Sequence, residues 1–250
     1  MELPNLTDPN PTGNNLFVSS SSFRFQQFEV FHDRCGMKVG TDGVLLAAWV
    51  QPSNARRILD VGTGSGLIAL ILAQHSEAEI IGVEFDAEAA GQAAENARNS
   101  PWPDRIHIIN EDFRTYKEGL FDLIVSNPPF FQNDLKAPAP LRNQARHDVT
   151  LSYAELISKA EKLLTPGGRL AVILPNTAQQ EFEDLCWASK LFLTRCCEVS
   201  TIQGQAPKRV LLEFSRQRVE TERTTLAVGI KGNARSEAYS ALTSDLYLKR

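Results

Sequence analysis

The chain has 250 residues, of which 42% are hydrophobic, so it can bury a sizeable core and is expected to form one large domain. Its formal net charge of −4 and pI of about 5.7 exclude a uniformly basic, DNA-coating surface, although a local basic patch can still bind a phosphate backbone. No charged stretch precedes an apolar one at the N-terminus, and no segment reaches membrane-spanning length, which predicts a cytoplasmic protein.

The cysteine spacing gives no indication of a metal site. Cys35, Cys186, Cys196 and Cys197 lack the CxxC pairs that zinc sites use, and the adjacent pair lies in an apolar stretch. Cysteine in such surroundings behaves as a small hydrophobic residue. We therefore expect buried structural thiols and no bound metal.

The N-terminal region is predicted to be an appendage of the main domain. Residues 1–22 are rich in Pro, Asn and Ser, a composition typical of a flexible leader. From Phe23 the sequence FRFQQFEVF alternates apolar and polar side chains, which indicates a hairpin or an edge strand over the core. We therefore divide the chain into a leader (1–22), an N-terminal extension (23–52) and a main domain (53–250).

The first helix is predicted at 41–50, with Thr41 or Asp42 as its N-cap and Pro52 shortly after its end. Beyond it, short β-rich runs alternate with helical stretches, a pattern that favours a parallel sheet with helices on both faces. These runs are, in order, RRILDV, LIALILAQH, AEIIGVE, AEAAGQAAENARN, RIHIIN, FDLIVS, SYAELISKAEKLL and GRLAVILP.

The last part of the chain is predicted to form the edge of the sheet. A helix is expected near 177–189, a strand near 191–201 and a strand at 209–216, and residues 217–250 hold a polar linker, the apolar stretch TLAVGI and an amphipathic end. Because no long helix joins the two strands, we expect them to pair antiparallel. The predicted fold class is therefore α/β, with a seven-stranded, mostly parallel sheet, helices on both faces and an antiparallel edge strand.

A glycine-rich turn follows the first strand of the wound sheet. The sequence RILDVGTGSGLIAL places Gly62, Gly64 and Gly66 in this turn, where a ligand can approach the bare backbone, and Asp60 at the end of the strand. We expect all four residues at a cofactor site. A GxGxG turn alone also fits a nicotinamide dinucleotide or no ligand.

Carboxylates follow the next two predicted strands. Glu84 lies 22 residues after Gly62, near the spacing at which a carboxylate binds ribose hydroxyls, and Asp86 comes directly after it. Asp112 ends the third strand, where it can accept a hydrogen bond from an adenine amine. An N-cap or a solvated loop acid is the alternative interpretation for Asp86 and Asp112.

Several strand-end carboxylates around a glycine turn suit a cofactor with an adenosine part and a positive centre better than the anionic pyrophosphate of NAD. This arrangement resembles the class I S-adenosylmethionine-dependent methyltransferases. The resemblance implies a Rossmann-like fold, with S-adenosyl-L-methionine as the cofactor. It also implies that the extension 23–52 lies over the cofactor pocket and that 53–250 is the methyltransferase domain.

The strand FDLIVS runs directly into Asn127-Pro128-Pro129-Phe130, a stiff loop that lacks two backbone donors. Asn127 Oδ1 and the Pro128 carbonyl can accept the two hydrogens of an amine and free its lone pair for attack. Phe130, together with Phe131, is expected to stack on a target base. The motif resembles the (D/N/S)PP(Y/F/W) motif of amino-methyltransferases that act on adenine, guanine or glutamine, and an ordinary Asn-Pro turn is the alternative.

A narrower resemblance covers about residues 23 to 250. It rests on FRFQQFEVFHDRCGMKVGTDGVLLAAWV, LDVGTGSGLIALILAQ, NPPFF, QARHD, LSYAEL and the terminal DLYLKR. These segments resemble the bacterial tRNA1(Val) adenine-37 N6-methyltransferase family. The resemblance implies a tRNA substrate, methylated on the adenine beside the anticodon of one valine tRNA. We expect the enzyme to be a monomer.

The segment HDRCGMKVGTDG is expected to lie across the cofactor pocket, as similar segments do in related amino-methyltransferases, and to contribute Lys38, Thr41 and Asp42. A capped helix with a basic approach loop is the alternative. RNA phosphates are expected to meet two cationic pairs that flank the pocket, although solvated surface charge is the alternative for each residue. These residues are Arg142, Arg146, Lys208 and Arg209.

Other functions remain open from the residues alone. A ribosomal RNA guanine-N2 methyltransferase shares NPPF and the glycine turn but usually carries a second upstream domain, for which 250 residues leave no room. A glutamine methyltransferase typically has NPPY and a helical bundle in front. A non-catalytic RNA-binding scaffold can use the same fold, and a nicotinamide dehydrogenase needs GxGxxG, which this turn lacks.

Overall fold

The computed structural model describes residues 21–52, 54–129, 151–232 and 234–248. Ten strands are present in this part of the chain, and they are β1 (Ser22–Arg24), β2 (Glu29–Phe31), β3 (Arg57–Val61), β4 (Glu79–Glu84), β5 (Ile106–Asn110), β6 (Phe121–Ser126), β7 (Leu164–Pro175), β8 (Phe192–Ile202), β9 (Arg209–Ser215) and β10 (Glu222–Gly229). The α-helices are α1 (Thr41–Trp49), α2 (Leu67–His75), α3 (Ala87–Arg98), α4 (Tyr153–Leu163), α5 (Gln179–Ala188) and α6 (Glu237–Leu242).

Eight of these strands form one sheet in the order β10-β8-β9-β7-β6-β3-β4-β5. Strand β9 is antiparallel to both of its neighbours, and every other pair in the sheet is parallel. The central strands read as continuous apolar runs because helices cover both faces of the sheet. The α/β class and the antiparallel pairing of the two late strands are confirmed.

Two details of the predicted sheet were wrong. The sheet has eight strands rather than seven, because residues around TLAVGI form β10, which pairs parallel with β8. In addition, the antiparallel strand β9 lies between β7 and β8 and not at the edge of the sheet, which is formed by β10. Strand β10 is exposed along its first half, as expected of an edge strand, so its sequence lacks the apolar run that marks the central strands.

The helices follow their sequence patterns closely. Helix α2 is apolar on almost every side and is buried from Leu67 to Ala73, whereas α4 is amphipathic and begins with a capping box between Ser152 and Glu155. Helix α1 was expected to be capped by Thr41 or Asp42, but its N-cap is Gly40 and no side chain caps it. Both polar side chains instead lie within the first turn, which leaves them available for other contacts.

The N-terminal extension begins with a two-stranded hairpin, β1 and β2, and Ser22 already belongs to it although it was assigned to the leader. The hairpin packs against the C-terminal segment: Gln26 N donates to Leu246 O at 2.8 Å, and Phe25 stacks on Tyr247 with ring centroids 5.9 Å apart. The rest of the predicted leader, 1–20, lies outside the described residues. The two ends of the described chain therefore close over the same side of the sheet.

Two apolar clusters fill the two sides of the sheet, one under α1, α2 and the hairpin and the other under α4 and α5.

Cys186, Cys196 and Cys197 are buried, as predicted, but Cys35 is only half-buried, and burial raises the pKa of its thiol to about 11. No helix in the described ranges is both long enough and apolar enough to span a membrane.

Candidate functional site

A cavity of about 540 Å³ opens at the carboxyl ends of β3, β4, β5 and β6. Its size falls within the range of small-molecule sites, and its place at this sheet edge is where open α/β sheets bind their ligands. The walls come from the segment 35–43, the glycine loop, the ends of β4 and β5, and residues 126–129. Many of the residues singled out from the sequence therefore line one cavity.

The glycine loop turns sharply because three of its residues adopt left-handed backbone conformations. Gly62, Gly64 and Gly66 have φ values of 69°, 56° and 80°, which only glycine adopts without strain. The Gly62 amide donates to the Val83 carbonyl at 2.9 Å, so the loop is attached to the end of β4. Gly62 and Gly64 line the cavity, whereas a Cβ at Gly66 would lie 3.4 Å from Ala93 of α3, so Gly66 permits close packing instead.

Asp60 lies beneath the loop and does not line the cavity. Its carboxylate is fully buried, and its Oδ2 accepts from Thr63 Oγ1 at 2.6 Å and from the Ala69 amide at 3.2 Å. Burial raises the pKa of this carboxyl to about 7. Asp60 was expected at the cofactor site. In this structure it instead supports the glycine loop and the start of α2.

Glu84 and Asp86 both face the cavity but have different partners. The Glu84 carboxylate accepts from the Gly64 amide at 2.9 Å and from the Asp86 amide at 3.0 Å. Asp86 is the N-cap of α3, where its side chain accepts from the Ala89 amide at 2.9 Å, so the alternative interpretation of Asp86 describes its present contacts. Phe85 between them is 55% exposed at the cavity wall and was not singled out from the sequence.

Asp112 lies in the cavity wall with its carboxylate already engaged. Arg114 donates to Asp112 Oδ2 from Nε at 2.9 Å and from Nη2 at 2.6 Å, and these hydrogen bonds hold the pKa of the Asp112 carboxyl below its usual range. Glu111 lines the cavity beside it. An amine ligand would therefore meet an Asp112 carboxylate that is held in one orientation by Arg114.

The end of β6 brings the Asn-Pro-Pro segment to the glycine loop. Ser126 Oγ donates to the Val61 carbonyl at 2.9 Å, which joins the ends of β6 and β3. Asn127, Pro128 and Pro129 line the cavity, and Asn127 Oδ1 is buried without a hydrogen-bond partner in the described part of the chain. The two aromatic residues predicted to stack on a base, Phe130 and Phe131, lie outside the described residues.

The segment 35–43 forms the opposite wall of the cavity and includes Lys38, Thr41 and Asp42. It is fixed by two buried polar residues of α3 that the sequence analysis missed. Gln92 Oε1 accepts from the Arg34 amide at 2.9 Å, and Asn96 bonds to both the amide and the carbonyl of Phe31. Their spacing of four residues on an otherwise alanine-rich helix face was the available sequence signal.

The predicted RNA-binding cations are placed differently from one another. Arg142 and Arg146 lie outside the described residues. Lys208 is exposed at the turn before β9, whereas Arg209 Nε donates to Asp42 Oδ2 at 2.8 Å across the fold. Arg209 was expected to face RNA phosphates, but its guanidinium is engaged with a carboxylate of the cavity wall.

The charges around the cavity suit a cationic ligand with an adenosine part. Five carboxylates and one lysine, Lys38, are among the described residues that line it. S-adenosylmethionine carries a sulfonium, an ammonium and a carboxylate, so an acidic wall favours its net positive charge. Glu84 is an acceptor-only group that suits hydroxyl donors such as those of ribose. The carboxylates are Asp42, Glu84, Asp86, Glu111 and Asp112.

The strand order, the glycine loop and the Asn-Pro-Pro segment together define a class I methyltransferase that uses S-adenosylmethionine as its methyl donor. The family model described as the methyltransferase small domain matches residues 30–185. Among solved structures, a predicted O-methyltransferase from Agrobacterium tumefaciens superposes with a TM-score of 0.64 at 20% identity, covering 84% of this chain and 99% of that chain. A ribosomal protein L11 methylase from Lactobacillus delbrueckii subsp. bulgaricus superposes with a TM-score of 0.53 at 18% identity, covering 70% and 78%. These superpositions show the shared fold.

Curated relatives are much closer in sequence. A tRNA1(Val) (adenine(37)-N6)-methyltransferase from Bacteroides fragilis is 44% identical over 236 residues, which cover 93% of this chain and 100% of the relative. The protein of the same description from Tolumonas auensis is 43% identical over 234 residues, which cover 93% of this chain and 99% of the relative. The chain belongs to the tRNA1(Val) (adenine(37)-N6)-methyltransferase family.

Proposed function

We propose that this enzyme transfers a methyl group from S-adenosylmethionine to the N6 amine of adenine 37 in tRNA1(Val). The observation that carries the proposal is the buried Asn127 Oδ1, an acceptor in the cavity wall that has no hydrogen-bond partner among the described residues. A buried acceptor left unpaired is costly, and a substrate amine would supply the missing donor. The full-length similarity to the curated adenine methyltransferases supports adenine over guanine.

The residues of the chain then have separate tasks. When bound, S-adenosylmethionine supplies an electrophilic methyl group on a sulfonium, so the protein needs no covalent nucleophile. Asn127 Oδ1 and the Pro128 carbonyl accept the two hydrogens of the amine, which directs the nitrogen lone pair out of conjugation with the ring. Glu84 holds the ribose hydroxyls, and Phe130 stacks on the flipped base. The amine proton leaves to water after transfer, so no general base is assigned.

A region without acidic residues at the same sheet edge supports an RNA substrate. Residues 201–209 and 230–236 follow the carboxyl ends of β8 and β10 and contain no Asp or Glu, although the chain has 30 acidic residues. Lys208 and Lys231 are exposed there. Exposed cations in chain segments that contain no acidic residues favour contact with phosphates. We assign this region to the tRNA backbone and expect the enzyme to act as a monomer.

The test is transfer of labelled methyl groups to total tRNA from a strain that lacks this activity, followed by nucleoside mass spectrometry. We expect N6-methyladenosine confined to a valine tRNA, and transfer that is about 10² to 10³-fold slower with the matched Asn127→Ala variant. Methylated guanine would instead indicate a ribosomal RNA type of specificity. Absence of transfer to any RNA, with S-adenosylmethionine still bound, would contradict the proposal and favour a protein substrate or a scaffold.

A further inference from the structure

An ion pair joins two distant parts of the chain beside the cofactor cavity. Arg209, the first residue of β9, donates from Nε to Oδ2 of Asp42 in the first turn of α1, at 2.8 Å. Both side chains are largely buried, with 23% and 14% of their surfaces exposed. Partly buried pairs are screened less by salt than surface pairs, and removal of one partner leaves a charge uncompensated.

A short segment directly before Asp42, which we call the strap, forms one wall of the cavity. The strap, residues 36–41, contains two glycines and lines the cavity along most of its length. On its N-terminal side it is held by Gln92, which accepts from the Arg34 amide at 2.9 Å and from Cys35 Sγ at 3.1 Å. On its C-terminal side it runs into α1, whose N-cap Gly40 makes no side-chain cap bond. The Asp42 to Arg209 pair therefore holds the second end of the strap.

We propose that Arg209 is a positioning residue for S-adenosylmethionine binding that acts through Asp42, and that it does not bind tRNA. Without the guanidinium, the Asp42 carboxylate would turn toward water and the first turn of α1 would lose its fixed place at the cavity. The neighbouring Lys208 is exposed and keeps the role of a phosphate contact. The tRNA part of this inference rests on the proposed function, whereas the cofactor part does not.

The experiment compares Arg209→Met with its matched neighbour, Lys208→Met. The Kd for S-adenosylmethionine is measured by calorimetry without RNA, and the KM for tRNA is measured at several salt concentrations. We expect Arg209→Met to raise the cofactor Kd about tenfold, which corresponds to about 1.4 kcal/mol, and to leave the salt dependence of the tRNA KM unchanged. Lys208→Met should leave the cofactor Kd within about twofold of the wild-type value. It should also lower the slope of log KM for tRNA against log salt concentration by about one, as expected for the loss of one phosphate contact.

The opposite pattern, with a normal cofactor Kd and a reduced salt slope in Arg209→Met, would overturn the proposal and make Arg209 a phosphate contact. Because calorimetry contains no RNA, a wrong tRNA assignment leaves this result intact.

Three further experiments separate positioning from a general loss of stability. Asp42→Asn combined with Arg209→Met should raise the cofactor Kd no more than Asp42→Asn alone, because the effect of Arg209 passes through Asp42. Full additivity would overturn the proposal. Amide hydrogen exchange of the free enzyme should become faster within 36–44 in Arg209→Met and stay unchanged in β9. Arg209→Lys, which restores the charge but not the fork of donors, should recover part of the cofactor affinity.

Discussion

The buried carboxyl of Asp60 gives a quantitative prediction about the pH dependence of stability. Its pKa is raised from 3.8 to about 7, chiefly by burial, so the folded protein binds a proton that the unfolded chain releases at lower pH. The contribution of this group therefore falls as pH rises through the window from 3.8 to about 7. At about 1.4 kcal/mol per pKa unit, ionisation of Asp60 lowers the free energy of unfolding by roughly 4 kcal/mol in total. Roughly 2 to 3 kcal/mol of this loss occurs between about pH 5 and about pH 8.

The perturbation is Asp60→Asn, which cannot ionise but keeps an oxygen for Thr63 Oγ1 and the Ala69 amide. Urea unfolding of both proteins at about pH 5 and about pH 8 gives four free energies. The other titrating groups are common to both proteins, so we expect the wild type to lose about 2 to 3 kcal/mol more than the variant across this range. Parallel losses in the two proteins would refute the assignment of a protonated carboxyl beneath the glycine loop.

Three further predictions concern the cavity and the helix α3 that supports its wall. Asn127→Ala should keep the Kd for S-adenosylmethionine but lower kcat by about 10² to 10³-fold, because it removes an acceptor on the reacting amine; near-normal turnover would remove this role. Glu84→Ala should weaken cofactor binding by roughly 10 to 100-fold in calorimetry, since ribose hydroxyls lose a charged acceptor, and an unchanged Kd would exclude the ribose assignment. Asn96→Ala should lower the free energy of unfolding by roughly 2 to 4 kcal/mol, because a buried hydrogen bond to the Ser65 carbonyl and two part-buried ones to the Phe31 backbone are lost; a loss below about 1 kcal/mol in urea would contradict this.

The sequence alone was sufficient to predict the wound sheet, and it singled out the glycine turn and the strand ends that line the cavity. Hydrophobic runs, turn glycines and caps are local features, and strands that share one direction place their carboxyl ends at one edge. Glu84, Asn127 and the segment that contains Lys38 therefore meet in the structure because each follows or precedes a recognisable element. Strand β10 was missed because an edge strand buries too little to show a strong pattern.

What only the tertiary structure decided is how the polar side chains are paired. Asp60 and Asp112 both lie close to the carboxyl end of a strand, yet one is buried under the glycine loop and the other is held by Arg114 at the cavity wall. Lys208 and Arg209 are adjacent in sequence, yet one is exposed and the other pairs with Asp42, 167 residues away. A hydrogen bond depends on where two side chains lie in space, and no local pattern records a partner that is far away in the chain.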